Sequence, residues 1–130
     1  MKNFSALWVK ISMIYFLVGL TFGVYMHLTI QLQWKATHAH ILVVGWLTTV
    51  VIGLIYARYE EAATHLLARL SFWFYHIGLP FLLLGMYSIY SKPLRPYMRI
   101  FVDGGGTVFI IGILLVTVNL FMHAKDHQET

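Results

Sequence analysis

The run THAHILVVGWLTTVVIGLIYA, residues 37 to 57, decides the fold. From His38 to Ala57 it contains no Asp, Glu, Lys or Arg. Crossing the hydrocarbon core of a bilayer takes about 20 mostly apolar residues in a helix. This run has that length and composition. Outward from it, Ala6–Ile30, Leu66–Tyr90 and Ile100–His123 read the same way. The expected architecture is therefore all-α: one domain, residues 1–130, folded as an integral membrane four-helix up-down bundle. Gln31 to Thr37 is expected to be a short polar loop with Trp34 and Lys35 at the interface. Arg58 to Thr64 is charged, and Pro93 and Pro96 stop the third helix. Pro80 falls inside that third span, where it removes one helix hydrogen bond.

Composition points the same way. Apolar residues make up 59% of the chain and charged residues 11%, against about a quarter charged in a soluble domain. The net charge is +4, but the basic residues lie at helix ends. They read as head-group anchors in a lipid bilayer, with no nucleic-acid patch. There is no cysteine, which excludes disulfides, thiolate metal sites, iron–sulfur clusters and a Cys nucleophile. The first apolar run is too long for a signal-peptide core and no small-residue cleavage site follows it, so it is read as a mature helix. Nothing resembles a phosphate loop or a nucleophile triad.

Four spans place both termini on one side, here side A, and the 31–37 and 91–96 connections on the other, side B. Lys2 and Lys10 favour a cytoplasmic side A. The expected location is a bacterial inner membrane with cytoplasmic termini.

Seven histidines are the unusual feature. An ionisable group inside a span is costly and commonly functional. His65, His123 and His127 fall at the side A surface and read as interfacial. His27, His38 and His40 gather near side B, where the first two helices meet. At about 100° per residue, His38 shares a stripe with Gly45, Thr49 and Gly53, whereas His40 points with Leu47, Val51 and Leu54. His27 shares its face with Ser12, Gly19 and Gly23. Glycines beside a histidine have two readings. Either they let helices approach closely, or they clear room for a flat macrocycle that the histidine holds. His76 lies deepest, about two turns from side A, facing Phe72, Trp73, Leu83 and Tyr87; at about 1.5 Å rise per residue it sits roughly 15 Å from His38 along the normal. One iron cannot take both within one subunit. Gly105, Gly112, Asn119 and His123 line one side of the fourth helix. Asn119 is expected to bond between helices.

The segment Thr37-His38-Ala39-His40, with Gly45-Trp46 and then Gly53-Leu54-Ile55-Tyr56, resembles the HAHxxxxGW…GLxY pattern of small four-helix membrane proteins related to subunit I of heme-copper oxidases. Phe72-Trp73, Ile77-Gly78-Leu79-Pro80 and Gly85 are similar to their third helix. Gly112 with Val118-Asn119-Leu120 is similar to the last. This resemblance implies heme b, with His38 or His40 in the ligand's place; the expected ligand is His38, with His27 or His40 as second ligand or pocket residue and His76 as a separate candidate. It also implies a pocket at Gly45, Trp46 and Gly23, and propionate partners at Lys35, Arg95 and Arg99. His27 departs from the pattern as an added histidine. The oxidase copper site has no equivalent, which argues against oxygen reduction by this chain alone.

The expected function is a membrane-bound heme protein for electron transfer or for binding or sensing oxygen or nitric oxide, with a homo-oligomer or a respiratory-chain partner. Two alternatives stand beside it. Three histidines at one depth, His38, His40 and His27, are a donor set for copper or zinc. A cofactor-free accessory subunit of a respiratory complex would keep its histidines merely interfacial.

Overall fold

The computed structural model describes residues 3–126, so the expectation for His127 lies outside the described residues. Four helices are long and apolar enough to cross a membrane: α1 (Phe4–Thr29), α2 (Leu32–Arg58), α4 (Leu66–Ser88) and α5 (Ile100–His123). A one-turn helix α3 (Glu60–Thr64) joins α2 to α4. Large apolar side chains point outward along the long helices, including Leu17, Val24 and Leu28 of α1 and Ile110, Leu114 and Phe121 of α5. That outer surface suits contact with lipid.

The loop expected at 31–37 is much shorter than its polarity suggests. Ile30 adopts a left-handed conformation, φ 53°, at the end of α1. The Gln31 N–H donates to the Met26 carbonyl at 3.0 Å and the Ile30 N–H to the His27 carbonyl at 3.4 Å. This is a Schellman closure, which satisfies two of the last carbonyls of α1 and turns the chain at once. Leu32–Trp34 then makes a tight helical turn, and the α-helix proper runs from Lys35 to His40. Trp34 fastens this start to α4: its Nε1 donates to the Tyr87 carbonyl at 2.9 Å, and the two rings stack with centroids 4.7 Å apart.

Directly after His40, residues Ile41–Thr48 widen into a π-helical stretch; Ile100–Gly105 does the same at the start of α5. In a π-helix the bond skips to i−5, and the local bulge frees a carbonyl for other partners. Thr48 Oγ1 donates to the Val43 carbonyl at 2.9 Å, five residues back, in keeping with that register. The Val44 carbonyl lies 3.4 Å from Thr49 Oγ1 in the same register and accepts more closely from Tyr75 of α4, at 2.7 Å.

Within the α4–α5 pair, packing is backbone to backbone. A Cβ on Gly112 would lie 2.6 Å from the Tyr75 nitrogen, and one on Gly105 2.6 Å from the Leu82 nitrogen. From the other helix, a Cβ on Gly85 would lie 2.7 Å from the Val102 nitrogen, and Gly78 presses on the backbone of Phe109. All four contacts keep one antiparallel register, with glycines seven residues apart on each helix. Such close approach is the packing that small residues make possible between apolar helices.

Between the two helix pairs the filling is aromatic. Trp8 packs on Tyr56, Phe72, Tyr75 and His76, with ring centroids 4.8 to 6.0 Å apart. Phe4, Trp8, Tyr56, Phe72 and Tyr75 form the centre of the core with Leu79 and Val116.

Candidate functional site: the side B histidines

His38 and His40 sit on the short α-helical turn between the Trp34 anchor and the π stretch. They point apart, because two residues turn a helix by about 200°. His38 is half-buried against α1. A Cβ on Gly23 would come within 2.7 Å of the His38 Cε1. Gly23 therefore clears room for the imidazole itself. The other glycines on this seam behave alike: Gly19 receives the side chain of Leu42, and Gly45 receives the ring of Tyr15. Trp46 turns from Gly45 to pack on Phe16, with centroids 4.4 Å apart. The space beside these glycines is thus filled by His38, Leu42 and Tyr15, as in close helix packing.

The two histidines also differ in hydrogen bonding. His38 Nδ1 is buried with no partner among the described residues. In the neutral ring a buried bare lone pair costs less than a buried N–H, so this nitrogen is the unprotonated one. His40 is exposed, and its Nδ1 lies 2.9 Å from the Ala36 carbonyl. A carbonyl only accepts, so Nδ1 carries a proton, and in the neutral ring the lone pair is then on Nε2. This is the tautomer that metal-binding imidazoles adopt, with a backbone carbonyl fixing the ring from behind. His40 shares its outward face with the exposed Val43, Leu47, Val51 and Leu54.

The remaining candidates lie apart. His27 is exposed near the end of α1, and Lys35 is exposed on α2. Arg95 and Arg99 are exposed beside the start of α5, where Arg99 pairs with Asp103 at 3.8 Å. Among the described residues, no three His, Asp or Glu side chains gather in a group that could hold a metal ion. The His38, His40 and His27 set is therefore not assembled in this protomer.

His76 belongs to a separate interior node. Its Nδ1 lies 3.3 Å from the Tyr15 hydroxyl, its ring packs on Trp8 and Phe72, and its Nε2 is buried without a partner among the described residues. Next to it, Thr49 Oγ1 donates to the Tyr75 hydroxyl at 3.0 Å. Sequence reading, drawn to the histidines, passed over Tyr75 and Tyr15. The signal available was a hydroxyl-bearing aromatic beside a histidine in an apolar run.

At side A, the His65 and His123 rings stack with centroids 3.9 Å apart. His65 caps α4 by accepting from the Leu67 N–H at 3.2 Å. Asn119 makes the expected interhelical bond, donating to the Ala62 carbonyl at 2.9 Å, and reaches Tyr56 at 3.3 Å.

Comparison with family models, curated proteins and solved structures gives no match to this chain.

Proposed function

We propose that this chain is an integral membrane protein, threaded up and down through the bilayer, that carries a b-type heme on its outer face at side B, with His40 as axial ligand. The observation that carries the reading is the His40 ring itself: exposed on an apolar face, Nδ1–H bonded to the Ala36 carbonyl, Nε2 free. The HAHxxxxGW resemblance supports heme over another group. The filled glycine seam moves the preference from His38 to His40, since ligation through His38 Nε2 would leave a buried Nδ1–H without a partner.

His40 holds the group by its imidazole, the Ala36 carbonyl fixes the tautomer, and Val43 and Leu47 exclude water beside it. Lys35, five residues before His40 on the same helix, would reach a propionate through its long side chain. A second copy offering the same face would bring a second His40 and cover the exposed apolar stripe, so the reading includes a homodimer. Bound heme supplies one-electron chemistry when both axial positions are filled and gas binding when one is open.

The test is an absorption spectrum of the detergent-purified protein, before and after heme supplementation, with metal analysis. A Soret band with reduced α and β bands supports the proposal. Stoichiometric copper or zinc without a Soret band supports the metal alternative instead. Neither signal leaves the cofactor-free accessory subunit.

A further inference from the structure

Outside the histidine sites, one groove has a built entrance. It runs along the outer seam of α4 and α5, lined by Ile77, Phe81, Ile100, Phe101, Gly104 and Val108, with a volume of about 280 Å³. The span from Ile100 to Val108 is roughly 12 Å along the helix axis at about 1.5 Å per residue. The groove therefore starts at side B and reaches well into the apolar slab. Gly104 makes it deep: nothing lies within 4 Å of where its Cβ would be, unlike the neighbouring Gly105, which presses on α4. Gly105 is needed for helix contact, whereas Gly104 leaves open space.

Lys92, Arg95 and Arg99 are exposed on the connection that leads into Ile100, the residue at the side B end of the groove. Among the described residues the ion pairs are Arg58–Asp126 and Arg99–Asp103, so Lys92 and Arg95 have no carboxylate partner. Asp103, 3.8 Å from Arg99, is the carboxylate that the described residues place at this end. A purely apolar partner would leave these cations without counter-charge. A soluble anion would have no use for the groove. An anionic phospholipid satisfies both parts.

We infer that the α4–α5 seam is a binding site for an anionic phospholipid, one acyl chain lying over Gly104 and the phosphate held by Lys92 and Arg95. The site lies on the α4–α5 hairpin and is independent of the heme proposal.

The experiment is native mass spectrometry of the full chain in detergent, offered equal phosphatidylglycerol and phosphatidylcholine. Wild type is expected to retain phosphatidylglycerol preferentially. Lys92→Gln or Arg95→Gln weakens retention about fivefold for each lost cation. Gly104→Leu fills the groove and abolishes the preference; because no atom crowds that position, the variant keeps the wild-type melting temperature. Equal retention of both lipids, or unchanged retention in folded Gly104→Leu, overturns the site. So does a wild-type dimer that Gly104→Leu dissociates without changing lipid binding, since a second copy would then occupy the groove.

Discussion

The Tyr75 hydroxyl donates to the Val44 carbonyl at 2.7 Å while accepting from Thr49 at 3.0 Å. One side chain of α4 thereby answers the carbonyl opened by the π stretch of α2. In an apolar slab no water is at hand to replace such a bond. Tyr75→Phe removes both bonds and is expected to destabilise the protein by about 1–3 kcal/mol, at about 0.5–1.5 kcal/mol net for each buried hydrogen bond. Reversible unfolding of the variant in mixed detergent measures it; an unchanged midpoint would show that Val44 needs no partner.

Gly112→Leu places a side chain where the Tyr75 backbone already stands. Overpacking of this kind costs about 1–3 kcal/mol, and more where backbone must move. Gly104→Leu, eight residues earlier on the same helix, meets open space. Melting curves of the two variants side by side should differ, with Gly112→Leu clearly lower.

Ile30 holds a left-handed conformation with its side chain 81% exposed. For a β-branched residue that conformation costs roughly 1–2 kcal/mol, and glycine pays none of it. After the extra chain entropy of glycine is subtracted, Ile30→Gly is expected to raise stability by about 0.5–1 kcal/mol. A lower unfolding midpoint would contradict the Schellman closure.

His65 caps α4 through an Nδ1 lone pair. His65→Ala should cost about 1 kcal/mol, and His65→Ser, another capping residue, should recover most of it. Equal losses in both variants would show that the stacked His123 ring, and not the cap, gives His65 its value.

The two side B histidines separate by substitution. With heme bound, His40→Ala should abolish the Soret band, and His38→Ala should leave it while disturbing the packing on Gly23. The reverse outcome would return the axial role to His38. Circular dichroism of each variant distinguishes a lost ligand from a lost fold.

The four long helices were legible because a mostly apolar run of some 20 residues with no more than one charged side chain has few other homes. Their ends were less so. Gln31, Gln33 and Lys35 read as loop, yet the chain turns within two residues because Ile30 takes up the left-handed position that usually falls to glycine. The outward face of His40 with Leu47, Val51 and Leu54 followed from helical geometry alone. The π stretch at 41–48 carries no local mark: the side chain that bonds its Val44 carbonyl is Tyr75 on another helix, and no window of residues 41–48 contains it. The role of the glycines was equally hidden. Spacing cannot tell a slot kept for a ligand from one filled by His38, Tyr15 or Leu42.

The glycine register of α4 and α5 carries a mechanical consequence. Two backbones in contact have no side-chain layer to rearrange, so that pair moves as one stiff plate. The layer against α1 and α2 consists of rings, and rings can tilt and slide over one another. If the molecule changes shape when it is loaded or paired, the displacement is a shear between the plates at Trp8, Tyr15 and His76, with α4 and α5 travelling together.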